Sequence, residues 1–262
     1  MALIETKQAN SAGIYLLKFY INGVETPVIV DDYLPVVRGT NEPAFAYSRD
    51  GELWASLLEK GWAKLHGTYA RLEAGLPCFA SGHLAGVPAE SILHSQVEDR
   101  EEFWQYLKLC DQRNFAMISS SVGENEQVDE YGVVAGHAYS LLEIIEFRDM
   151  GEDVRLLRLR NPWGQGEWTG DWSDGSSRWT PALREKYNVV KEDDGTFCIP
   201  YEDYMDYYAC TTFCMQHAPQ YSHSNIFHSF GSDTSEMPQA FFTFTLTQEI
   251  DFMQHPFGIS VM

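Results

Sequence analysis

Gly136-His137-Ala138-Tyr139-Ser140 and Arg160-Asn161-Pro162-Trp163-Gly164 are the two stretches whose reading decides the fold. Each lies at the edge of a predicted strand, and a hairpin of the intervening length brings His137 and Asn161 together. An imidazole can hold a thiol as thiolate and later protonate a leaving amine. It needs an acceptor on its far nitrogen to fix the ring, and an Asn oxygen supplies one without adding charge. Pro162 gives the chain a rigid exit, and Trp163 is placed to cover the His–Asn bond from water. The bland reading, a core histidine and a turn asparagine, suits either residue alone. It suits both poorly in this order, flanked by Trp163 and Trp168.

Outward from this pair, Tyr139–Phe147 and Val154–Arg160 read as antiparallel neighbours joined by the polar loop Asp149–Asp153. Phe115–Ser121 is a further strand. Ile14–Tyr20, a turn at Asn22-Gly23 and Val28–Val30 read as a hairpin. Asp50 is placed to cap a helix reaching about His66. Trp54, Leu57, Leu58, Trp62 and Leu65 share one face of that helix, with little before them to pack on, so the stripe is expected to be left exposed. Residues 75–91, rich in Gly, Pro, Ala and Ser, read as a linker. Glu101–Asp111 reads as a helix, and so does Tyr201–Tyr208 after a turn at Gly195. Residues 217–238 read as a second linker. Gln239–Thr247 alternates Phe and Leu with Thr, as a strand with one buried face and no sheet partner in this sequence.

The 262 residues carry a net charge of −20, with 44% hydrophobic and 14% aromatic content. That composition suits an ordered core and disfavours nucleic acid or anionic membrane as partner, because phosphate binding needs clustered Lys and Arg. Surplus carboxylates suit solubility, and also hard cations such as calcium. No run approaches the roughly 20 apolar residues of a membrane helix. Cys78, Cys110, Cys198, Cys210 and Cys214 have neither disulfide-framework nor zinc spacing, so a cytoplasmic, reducing setting is the expectation.

Taken together, residues from about Gly13 to Cys214 resemble the calpain-type cysteine protease core. The resemblance runs through the hairpin ending in Asp31-Asp32-Tyr33-Leu34-Pro35 and the helix Glu52-Leu53-Trp54-Ala55-Ser56-Leu57-Leu58-Glu59-Lys60. It continues through the two stretches quoted above, Glu167-Trp168-Thr169-Gly170-Asp171-Trp172-Ser173-Asp174 and Tyr201-Glu202-Asp203-Tyr204. It implies an α+β, papain-like two-lobed fold with a partial first lobe (1–84), a complete second lobe (85–217), then a linker and the first strand of a β-sandwich domain (218–262). It implies calcium-dependent endopeptidase chemistry on protein or peptide substrates in an extended conformation. His137 is then base and acid, Asn161 the orienter and Trp163 the shield. Glu167, Asp174 and Asp194 match the family's second-lobe calcium ligands, with Thr196 where a further acid is expected, and Glu52 matches a first-lobe ligand.

The family's nucleophile stands in a Gly-Asp-Cys-Trp context, and no such run occurs here. Cys110 ends a helix, where the dipole disfavours thiolate. Cys78 falls in the expected linker, and Cys198, Cys210 and Cys214 fall at core-like positions. The expectation is therefore a chain inactive alone, lacking an N-terminal protease segment. The alternative is a non-catalytic, calcium-binding pseudoprotease acting as an interaction module. A third reading, a transglutaminase-like Cys–His enzyme, is disfavoured by Asn161, since that fold orients its His with Asp.

Overall fold

A computed structural model describes residues 3–48 and 50–215. The linker and strand expected after residue 216 lie outside the described residues. β1 (Ile14–Ile21) and β2 (Val24–Asp31) pair antiparallel from Ile14↔Asp31 to Ile21↔Val24. Asn22 and Gly23 both take positive φ, 50° and 73°, the turn whose twist matches the strands it joins. Alternation along β1 sends Tyr15, Leu17 and Phe19 to one face, where Val28 and Val30 of β2 join them.

α1 (Trp54–His66) lies across that face, with Leu57 buried and Leu58, Trp62 and Leu65 packed against it. This corrects the expectation of an exposed stripe, because the preceding hairpin supplies the apolar surface that the stripe covers. Trp54, in the first turn, stays 52% exposed. Asp50 does not cap the helix. The N-cap position is Leu53, without a side-chain bond, and Gly51 at φ 76° separates Asp50 from it. The preceding chain is tied instead to the helix side: Ser56 Oγ donates to Ala46 O at 2.8 Å, and Glu59 accepts from Ala46 N at 2.8 Å.

α2 (Pro77–Ala85) occupies the stretch expected to be a linker. Pro77 presets φ in its first turn, and Gly86, left-handed at φ 66°, closes it with an N–H bond to Gly82 O. The Gly and Pro that suggested a hinge are the end signals of a short helix.

The remaining strands form one antiparallel sheet in the order β3 (Ala89–Leu93), β8 (Tyr208–Cys214), β4 (Ala116–Ser121), β5 (Ala138–Asp149), β6 (Glu152–Arg160), β7 (Thr196–Pro200). α3 (Arg100–Gln112) is capped by Asp99, whose carboxylate accepts from the N–H groups of Glu101 and Glu102. It buries Phe103, Trp104, Leu107 and Cys110 against Met117, Leu157 and Phe213 of the sheet. α4 (Pro181–Tyr187) follows β6, and α5 (Tyr201–Tyr207) precedes β8. Tyr204 of α5 lies fully buried, its hydroxyl 2.8 Å from Ser119 Oγ and 2.5 Å from Thr211 Oγ1.

Candidate active site

β5 and β6 pair with Ser140 opposite Arg160, so the residue before β5 and the residue after β6 meet at one end of the sheet. Those residues are His137 and Asn161. A register shift between Leu141 and Glu143 is absorbed further along the strands. His137 Nε2 lies 3.1 Å from Asn161 Oδ1.

The roles of the Asn161 side chain follow from its other partners. Its Nδ2 donates to Gly166 O at 3.2 Å, so Oδ1 is the atom that faces the imidazole. Oδ1 also accepts from Trp163 N at 3.1 Å. An acceptor at Nε2 requires that nitrogen to carry the proton, leaving the Nδ1 lone pair of the neutral ring directed away from Asn161. Nδ1 is therefore the nitrogen able to take a proton from a nucleophile. Asn161 is fully buried, and its main-chain N–H donates to Gly195 O at 2.7 Å. A side chain at Gly195 would stand 2.9 Å from Asn161 O, so this contact needs the glycine found there at φ 84°.

The His137 ring is held by aromatic walls. Trp163 lies with its ring centroid 4.6 Å away and is 45% exposed, so it shields one face while meeting solvent on its own outer side. Tyr139 packs edge-on at 5.1 Å and is buried, its hydroxyl accepting from Val134 N. Burial holds that phenol above its usual range. Ser121 clamps the His137 main chain: Oγ accepts from His137 N at 2.9 Å, and the Ser121 N–H donates to His137 O at 2.9 Å. The sequence gives no signal for Ser121, a small polar residue in a strand whose partner is set only by the β4–β5 register.

Glu126 was also missed. One of its carboxylate oxygens lies 3.7 Å from His137 Nδ1, on the edge opposite Asn161. Among the described residues, the polar partners of the His137 ring are Asn161 and Glu126, and no cysteine sulfur is among them. Burial pushes the thiols of Cys110, Cys198 and Cys214 up to about 11, the wrong direction for a nucleophile. Cys78 sits in the first turn of α2, not in a linker, and Cys210 is half-buried in β8.

The loops after Asn161 gather carboxylates. Glu167 Oε1 accepts from the N–H groups of Asp194 (2.9 Å) and Gly195 (2.8 Å), and Asp193 accepts from Gly166 N at 2.8 Å. Burial, then the charges of Glu167 and Asp194, push the Asp174 carboxyl up to about 7. Burial likewise raises Glu167. The three expected ligands are thus brought within electrostatic reach of one another, beside a cavity of about 1140 Å³ lined in part by Glu167, Asp171, Asp174 and Asp193. Their oxygen-only chemistry fits a hard cation, which would relieve the repulsion among them. Among the described residues, no three such side chains are drawn into a closed metal-holding group. Glu52 is exposed ahead of α1, and no described contact brings it to this set.

Comparison with known proteins agrees with this geometry. The chain matches the calpain family of cysteine proteases over residues 2–215. It is 35% identical to calpain-type cysteine protease ADL1 of Oryza sativa subsp. japonica over 231 residues, 85% of this chain and 10% of that protein. It is 36% identical to calpain-type cysteine protease DEK1 of Arabidopsis thaliana over 221 residues, 81% of this chain and 10% of that protein. It is 33% identical to calpain-9 of Homo sapiens over 211 residues, 78% of this chain and 30% of that protein. The chain spans between 10% and 30% of the length of these relatives. With the His–Asn pair at one end of an antiparallel sheet and the family match extending across every described element, the chain belongs to the calpain family of cysteine proteases.

Proposed function

We propose that this chain carries the base-and-orienter half of a calcium-dependent cysteine endopeptidase. Its His137 activates and later reprotonates, its Asn161 fixes the ring, and its Trp163 excludes water from the bond between them. The observation that carries the reading is the oriented contact from His137 Nε2 to Asn161 Oδ1, which leaves Nδ1 free for a thiol. Substrates are proteins or peptides threaded in extended form. The thiolate is delivered to Nδ1 by a segment bearing a low-pKa cysteine: burial raises the thiols of Cys110, Cys198 and Cys214, and no described contact brings Cys78 or Cys210 to the His137 ring. The chain by itself is accordingly inactive. The same observation favours a second reading, a pseudoprotease whose acidic loop binds calcium and whose cleft holds a partner. A cytoplasmic setting is supported by five unbridged cysteines. No helix among the described residues is long and apolar enough to cross a membrane.

Calcium would be held by Glu167, Asp174 and Asp194, with main-chain carbonyls completing the oxygens that the ion requires. There it would supply positive charge to offset the repulsion among these carboxylates.

The test is complementation. The purified chain should turn over no peptide with or without calcium, and should gain calcium-stimulated turnover when a Cys-bearing first-lobe segment is supplied in trans. His137→Ala should abolish the recovered activity, a loss of at least about 100-fold for removal of a general base. Turnover by the chain alone that Cys78→Ser removes would overturn the assignment of the thiols. Full activity in the His137→Ala variant would remove His137 from the mechanism. Identical calcium titration heats for the native chain and a Glu167→Ala/Asp174→Ala variant would discard the metal site.

A further inference from the structure

The geometry points to Glu126 as a specificity-determining residue that selects peptides with a basic side chain beside the reacting bond. This rests on the cleft reading above and names its substrate class.

The access of His137 is restricted. Asn161 occupies Nε2, Trp163 covers one face, Tyr139 packs edge-on, and the His137 side chain is only 9% exposed. What remains open is the Nδ1 edge, and Glu126 stands there with its side chain 62% exposed. At 3.7 Å the carboxylate is beyond hydrogen-bond distance of the ring. Beside the neutral ring, whose Nδ1 carries no proton, the carboxylate meets no opposite charge and can face an incoming group. A peptide whose carbonyl reaches the Nδ1 edge must lay its flanking side chains beside this carboxylate.

The placement is built by the backbone. The segment between β4 and β5 folds back on itself: Glu126 N–H donates to Ala135 O (3.1 Å), Ala135 N–H to Gln127 O (2.8 Å), and Val128 bridges Val134. Asn125 and Glu126 are consecutive non-glycine residues at positive φ, 68° and 49°. Such a conformation is sparsely populated and persists only where surrounding structure enforces it. Here it sets Glu126 opposite Ala135, two residues before His137. The base of the segment is closed by Gly136, where a Cβ would meet Gly123 O at 2.9 Å.

The surrounding charge is predominantly negative, with cations at its margins: Arg160 and Lys191 flank it in sequence, and Arg178 pairs with Asp171 at 3.0 Å. Segments 122–136, 161–177 and 192–195, which together frame His137 and Asn161, hold carboxylates in each and not one lysine or arginine. A cationic side chain enters a predominantly negative field that favours it over an anionic one. Glu126 is the member of that set whose carboxylate reaches the ring.

The experiment measures binding of two fluorescent, end-capped heptapeptides to the intact chain by anisotropy, identical but for Lys or Glu at the centre. Chelator is present to exclude calcium, and ionic strength is held near about 20 mM to limit screening. The Lys peptide should bind about five- to tenfold tighter than the Glu peptide. Glu126→Gln should shrink that ratio by at least about threefold, since a surface charge pair contributes on this scale. Glu126→Asn, a side chain that accepts positive φ, should give the same loss, separating charge from any disturbance of the fold. Glu152→Gln, at the exposed tip of the β5–β6 hairpin, should leave the ratio unchanged. An unaltered ratio in both Glu126 variants overturns the inference, and so does an equal loss in Glu152→Gln, which would mark a general effect of net charge. Failure of both peptides to bind at all overturns the peptide-cleft reading and this inference with it.

Discussion

Asn161 shows how much one side chain decides at the residue scale. Its amide oxygen serves His137 and Trp163 N, its amide nitrogen serves Gly166 O, and the whole group lies out of water. Replacing it by alanine removes the partner of the Trp163 N–H and of the Gly166 carbonyl and frees the ring to rotate. We expect Asn161→Ala to lower unfolding free energy by about 1–2 kcal/mol, the net loss of its hydrogen bonds with Trp163 and Gly166 reachable by water, as measured by urea denaturation. Wild-type stability in that variant would mean that water replaces the amide and that the orientation of His137 does not depend on it. The pairing of His137 with Asn161 was legible in the sequence, because the two sit at the facing ends of neighbouring strands. Ser121 and Glu126 were not legible. Their importance comes from a strand register and a backbone fold that bring ordinary residues to the ring.

Elements tell a different story. The Asn22-Gly23 turn and the alternation of β1 announce the hairpin, and the apolar stripe announces α1. Their mutual packing was not read, although each supplies the surface that the other needs. α2 was missed because Pro77 and Gly86, read as loosening signals, are positioned at a helix start and just past its end. Gly61 is the point where α1 and the hairpin come closest: a Cβ there would lie 2.2 Å from Leu17 Cδ1. Gly61→Ala improves helix propensity, yet it should destabilise the protein by about 1–3 kcal/mol through overpacking. Hydrogen exchange should show faster opening of residues 14–31 in this variant, with the six-stranded sheet little changed. Unchanged or slower exchange in the hairpin would mean that the helix shifts to accommodate the methyl.

For the molecule as a whole, one buried histidine makes a distinct contribution to acid sensitivity. His94 lies buried between Phe103 and Tyr204, with Nε2 2.8 Å from Thr211 Oγ1, and burial lowers its pKa from 6.5 to about 4. Between those values the unfolded chain binds a proton that the folded chain does not, so the contribution of His94 to stability is full above pH 6.5 and is lost as pH falls toward 4. His94→Gln keeps a partner for Thr211 without a titrating group. It should retain about 2–3 kcal/mol of the stability that the native protein loses over that window, as read from denaturation at pH 7 and 4.5. Parallel pH dependence in the two proteins would place the acid limb elsewhere.

What the sequence by itself determined is the family chemistry: a His and an Asn at two strand edges, in motifs specific enough to name the calpain core over nearly all described residues. Local signals sufficed because turn residues, alternation and a His–Asn pair constrain the chain within a few residues of themselves. Only the tertiary structure decided which nitrogen of His137 is free, that a glutamate stands beside it, that α1 covers the hairpin and that Asp174 is pressed by two other carboxylates. Those are relations between residues far apart in the chain. They are fixed by sheet register, burial and left-handed backbone turns, none of which a single stretch of sequence specifies.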